Sequence, residues 1–211
     1  MASDDTKDDA SGRRAFLLAA SGTVGAIGAG LLARSFVHTL APTSQKKDRI
    51  ITVDISTLKE NTRITVLWQE QPVWIVRRSA ATVAALASLD TRLKDPFSKD
   101  KDQQPENVLA HPEWRSLRPD ISVLIGLCTH LGCVPIMQAE MTPQPYDQDW
   151  KGGYICPCHF SRFDMAGRVF KQGPALYNLA VPEYYYRDDH TLVIGALAQS
   201  SNTNDTSPHA S

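Results

Sequence analysis

"CTHLGC" occupies residues 128–133 and "CPCHF" residues 156–160. Between them they hold all four cysteines of the chain and two of its six histidines, a clustering that random placement along 211 residues would rarely give. Thiolates and imidazoles gathered in two short loops are metal donors. Each loop offers one of each: Cys128 and His130 stand two apart, Cys156 and His159 three apart. Cys133 and Cys158 remain as a surplus, one per loop.

Outward from the loops, apolar residues recur in short runs rich in β-branched and aromatic side chains, which read as strands over 50–53, 63–68, 73–77, 121–126, 168–170, 177–181, 182–187 and 191–195. Gln69–Gln71 and Asp188–His190 suit hairpin turns. One helix is predicted from Ala80 to about Leu89 with Ser79 as its cap, and 94–119 reads as loops with a short turn. The fold class is therefore mainly β, with antiparallel stacked sheets. The uninterrupted apolar run 121–126 delivers the chain into the first cysteine loop, and the loops form a small subdomain at about 121–176 inside a domain spanning 50–197.

The flanks have a different character. Residues 1–12 are polar and acidic, Arg13 and Arg14 follow, and Ala15–Ala33 carries no charge. Nineteen helical residues reach about 28 Å, close to the hydrocarbon thickness of a bilayer. This makes 13–40 a retained transmembrane anchor, with a cleaved secretory signal as the alternative. "SGRRAFLL" (11–18) resembles a twin-arginine export signal, whose machinery moves folded proteins, and places the amino terminus in the cytoplasm. Residues 41–49 ("APTSQKKDR") read as a tether reaching about 30 Å when extended, and 198–211 as a disordered tail. The net charge of −1 gives no pull toward nucleic acid, and no phosphate loop or hydrolase triad is present.

Two metal chemistries compete. A structural zinc site takes four tetrahedral N/S ligands, but zinc ribbons pair their cysteines as C-x-x-C. A mixed-ligand [2Fe–2S] centre, with two thiolates on one iron and two imidazoles on the other, accounts for one Cys and one His per loop. At these motifs the sequence resembles the Rieske iron–sulfur subunit of ubiquinol:cytochrome c reductase, the respiratory complex III, most densely over 127–135 and 152–181. The resemblance implies three stacked sheets and one 2Fe–2S Rieske cluster, with Cys128 and Cys156 on the inner iron and His130 and His159 on the outer. It also implies a disulfide between Cys133 and Cys158 and a wall made of Leu131, Gly132, Phe160, Phe163, Gly173 and Pro174.

By the same resemblance the chain is a subunit of an oxidoreductase and translocase. One electron from ubiquinol enters the cluster, with a proton on a ligand histidine, and passes to a c-type cytochrome, while the other enters a b-type cytochrome. The expected setting is a dimeric complex in a bacterial inner membrane, with the Rieske domain periplasmic. Family members place a serine where Ser161 stands, donating to a bridging sulfide. They often carry a tyrosine at the position of Phe163 and a glycine at that of Phe160. Phenylalanine at 160 makes a strongly positive φ unexpected. "KQGPALYNL" (171–179) matches the family's proline loop, with Leu176 in place of a second proline. The alternatives are the small Rieske subunit of a periplasmic oxidase such as arsenite oxidase and, from another class, a non-redox zinc-binding assembly module. His38, His111, His190 and His209 read as surface residues, and the four tryptophans as core or loop anchors.

Overall fold

The computed structural model describes residues 5–40 and 50–197; the expected tether and tail lie outside these. A helix, α1 (Asp5–Leu40), and a β domain form separate units. Within α1, Gly12–Val37 has the length and hydropathy of a membrane span. Its phenylalanines and leucines are exposed in the chain alone, as a lipid-facing helix requires.

Among the described residues, nine antiparallel strands build three sheets of three. The first pairs β1 (Ile51–Asp54) with β9 (Thr191–Ile194) and β9 with β8 (Tyr184–Asp188). The second is ordered β2 (Arg63–Trp68), β3 (Gln71–Arg77), β4 (Ile121–Ile125). The third is ordered β5 (Ile136–Gln138), β6 (Gly153–Ile155), β7 (Arg162–Asp164). Apolar side chains of all three sheets share one core, which includes Val53, Trp74, Val123, Tyr154, Phe163 and Ile194. Trp74 of the second sheet stacks on Tyr154 of the third with ring centroids 5.0 Å apart. Gly126, where the chain leaves β4, is glycine for a steric reason: a β-carbon there would lie 2.2 Å from the Trp74 ring.

The β2–β3 hairpin turns at Gln69 and Glu70, both left-handed (φ 50° and 64°), the two-residue turn whose twist matches the flanking strands. Helix α2 is short (Ala80–Ala85), because the chain tightens into a 3-10 turn over Leu86–Arg92. Ser79 caps it as expected, its side chain accepting from the Thr82 amide. Two 3-10 turns interrupt the loop region after it.

Two strand expectations are corrected. Residues 168–170 make only isolated bridges, Val169 to Phe163 and Phe170 to Leu93. Residues 177–181 run along three different neighbours, with Leu179 N–H to Gly167, Val181 N–H to Gln103, and Ile125 N–H to the Ala180 carbonyl, so no ladder develops. The three strands of the third sheet were not expected. At three residues each they are too short to show a period.

Beneath the third sheet lies a buried ionic network. Arg168 donates to Asp164 Oδ2 (2.8 Å), to Asp90 Oδ1 (2.8 Å) and to the Leu86 carbonyl (2.7 Å), with Arg168 and Asp164 both fully buried. It joins the end of β7 to the 3-10 turn, so the segment from Leu86 to Lys94 is held against the loops that follow β7.

Candidate metal centre

The first loop leaves β4 and enters β5; the second joins β6 to β7. Their backbones repeat one pattern. The Cys128 amide donates to the Cys133 carbonyl (2.8 Å) and the Gly132 amide returns to the Cys128 carbonyl (2.9 Å). In the second loop the Cys156 amide donates to the Ser161 carbonyl (2.8 Å) and the Phe160 amide returns to the Cys156 carbonyl (3.0 Å). Cys128 and Cys156 thus open equivalent turns, and the fifth residue of each turn must reverse the chain in the left-handed region. That residue is Gly132 in one loop (φ 78°) and Phe160 in the other (φ 58°). The expectation against positive φ at Phe160 is therefore wrong: the two closing hydrogen bonds impose it, β-carbon or not.

The turns place the donors. Cys128 and Cys156 are buried, unpaired thiols. Cys133 and Cys158 are joined in a disulfide that staples one loop to the other. The sulfurs of Cys133, Cys156 and Cys158 all lie within 4.8 Å of one another, but the disulfide consumes two of them and leaves Cys156 as the available donor. The His130 and His159 rings meet edge to face with centroids 4.8 Å apart. His159 is exposed and His130 half-buried. Burial pushes the Cys128 thiol up, and the neighbouring Cys156 adds to this, while the His130 amide and the Ser161 hydroxyl pull it down.

A [2Fe–2S] group with two sulfur and two nitrogen ligands fits these residues. The decisive atom is His130 Nδ1, which is buried and has no hydrogen-bond partner among the described residues. An orphaned buried imidazole nitrogen costs about 1–3 kcal/mol unless something accepts its lone pair, and a metal ion does so.

The wall is ordered by the segment 173–177. Ser161 is fully buried, its Oγ accepting from the Ala175 amide (3.0 Å). Gly173 (φ 113°) crosses directly above: a β-carbon there would lie 2.9 Å from Ser161 Cα. Pro174 is exposed and Ala175 buried, so the loop covers Ser161 with its small residues. Thr129 Oγ1 donates to the Tyr177 carbonyl (2.6 Å), tying the first loop to this cover. Leu131, Phe160, Leu176 and Tyr177 point outward as exposed apolar side chains. Phe163 lies on β7 opposite Tyr154, fully buried. Of the other histidines, His190 is exposed as expected, whereas His111 is half-buried and stacked on Trp114 (5.2 Å). The sides of His38 and His209 lie outside the described residues.

Three stacked antiparallel assemblies with a stapled pair of thiol–imidazole loops define a Rieske [2Fe–2S] protein, and residues 49–184 match the model of that domain family. Residues 3–43 match a second model, described as the ubiquinol-cytochrome c reductase Fe–S subunit Tat signal. The chain belongs to the family of ubiquinol–cytochrome c reductase iron–sulfur subunits. The subunit of that name from Allochromatium vinosum is 44% identical over 185 residues, 87% of this chain and 88% of its own. That from Rhodospirillum rubrum is 36% identical over 187 residues, 88% of this chain and 92% of its own. Among solved structures, a chain of a hyperthermophilic respiratory Complex III aligns with 82% of this chain and 96% of its own at 20% identity and a TM-score of 0.40. The Rieske domain carries a 2Fe–2S cluster, and the export-signal match together with α1 fits a membrane-anchored bacterial subunit.

Proposed function

We propose that this chain is the electron-accepting subunit of a quinol–cytochrome c oxidoreductase, with Cys128 and Cys156 as ligands of one iron and His130 and His159 of the other. One observation carries the assignment: two free buried thiols and the orphaned His130 nitrogen lie in two loops locked together by the remaining cysteines. When bound, such a mixed-ligand group supplies a one-electron couple at about −150 to +300 mV, against about −400 mV for four thiolates. That range suits an electron drawn from quinol.

The residues divide the work. Cys128 and Cys156 keep the sulfur side dry, and Ser161, fully buried and donating to a bridging sulfide as in family members, would favour the more negative, reduced state. His159, exposed at the tip, presents its distal ring nitrogen to a quinol hydroxyl and holds the proton that accompanies the electron. Leu131, Phe160 and Leu176 supply an apolar rim for the quinone ring and for a b-type cytochrome, after which the electron passes to a c-type cytochrome. The working assembly is a dimeric complex in the bacterial inner membrane, α1 spanning once with its amino terminus cytoplasmic and the β domain periplasmic. The test is electron paramagnetic resonance of the reduced full chain in detergent. A signal with average g below the free-electron value, lost in both His130→Ala and His159→Ala, is expected. An iron-free or zinc-loaded protein, or a signal that survives either substitution, rejects the proposal.

A further inference from the structure

Lys94 stands thirty-four positions before the first cysteine and belongs to neither loop. Its backbone is fixed from below, the amide donating to the Val169 carbonyl (3.0 Å) beside the Leu93–Phe170 bridge. Its ammonium reaches across to the segment over the metal centre and donates to two carbonyls there, Gly173 (3.1 Å) and Ala175 (2.5 Å). No described carboxylate pairs with it, so the charge is spent on these two oxygens alone; charge-assisted bonds of this kind are roughly twice as strong as neutral ones. The amide between those carbonyls, that of Ala175, is the one that donates to Ser161 Oγ. Pro174 has no amide to offer in its place.

We propose that Lys94 is a positioning residue for the metal centre: by holding both carbonyls that flank the Ala175 amide, it keeps that amide donating to Ser161 Oγ and so leaves the Ser161 hydroxyl proton free to donate to a sulfur of the centre. The proposal rests on the reading of Ser161 given above. A hydroxyl whose oxygen already accepts a hydrogen bond is a stronger donor through its hydrogen, and its rotor has one orientation left. Without Lys94 the 173–175 segment loses its clamp, Ser161 regains a choice of partner, and the reduced state loses stabilisation.

The experiment is a double-mutant cycle on the midpoint potential of the full chain with its cluster assembled, in detergent at two salt concentrations, using Lys94→Met, Ser161→Ala and the pair. Ser161→Ala is expected to lower the potential, and Lys94→Met to lower it by a smaller amount, a several-fold loss in the electron's binding constant, where tenfold is about 59 mV. In the Ser161→Ala background Lys94→Met should add nothing, and Lys94→Arg should restore the wild-type value. A Lys94 shift that persists in full without Ser161, or that salt abolishes, marks a bare charge effect and overturns the proposal; so does no shift at all. If Ser161→Ala itself leaves the potential in place, the reading of Ser161 fails, and this proposal with it. Should a variant lose its cluster, hydrogen exchange at the Ala175 amide gives the answer independently: faster exchange in Lys94→Met is expected, and an unchanged rate overturns the proposal.

Discussion

Phe160 is held at φ 58° by two backbone hydrogen bonds while the residue is 69% exposed. A β-carbon in the left-handed region costs about 1 kcal/mol or more, and so little burial returns almost nothing. Phe160→Gly is therefore expected to raise the stability of the β domain by about 1 kcal/mol in a denaturant titration, while raising the KM for quinol through loss of the apolar rim. Phe163 gives the complementary case. It lies on β7 fully buried, where relatives often carry a tyrosine. Phe163→Tyr is expected to raise the midpoint potential in voltammetry by about 40–60 mV, the worth of one hydrogen bond of about 1 kcal/mol to the more reduced state. At this scale the sequence was generous about chemistry: the ligand candidates and the surplus pair all stand in two quoted motifs, and Ser161 directly follows the second. Lys94 was invisible there. No spacing rule links a lysine to carbonyls some eighty residues downstream, because the contact is made by the fold.

The two loops are the elements that matter, and their likeness is one of backbone rather than of sequence. Each opens with a cysteine whose amide is returned by the sixth residue and whose carbonyl is returned by the fifth. The histidines fall at different places in the two turns, and the disulfide compensates by holding the loops face to face. It closes a sequence separation of 25 residues, for which chain entropy predicts about 3.5 kcal/mol. Replacing Cys133 and Cys158 together by serine is expected to lower the thermal midpoint by several degrees and to make the cluster labile, read as faster bleaching of the visible spectrum on mild warming. The larger sheets could be read in advance because β2, β3 and β4 are long enough to show their character; β2 matches its expected bounds. The third sheet could not. Its strands take their regularity from one another, through Gly153, Tyr154 and Ile155, each paired on both sides.

Across the whole molecule, three tyrosines that anchor the core set an alkaline limit. Burial pushes Tyr184 up to about 12 and raises Tyr154 and Tyr186 further still. An unfolded tyrosine releases its proton near 10. Between about pH 10 and 12 the unfolded chain has therefore lost protons that the folded one keeps, so stability falls as pH rises, by about 1.4 kcal/mol per pH unit for each such group, and is intact below pH 10. Tyr184→Phe is expected to flatten that slope by about one proton in denaturant titrations between pH 10 and 11. It also removes the acceptor of the Leu117 amide (2.8 Å), at a pH-independent cost of about 1 kcal/mol. The division into apolar helix and β domain was plain in composition, since nineteen uncharged residues admit few readings. The closeness of three sulfurs within 4.8 Å has a bearing on biogenesis. Cys156 stands as near to Cys133 and Cys158 as a wrong partner needs to be, so an oxidant that reached the thiols before iron would trap a mispaired chain. Loading iron before the cross-link forms would avoid that trap, and export of an already folded chain, which the signal at its amino terminus suits, would keep the two steps in that order.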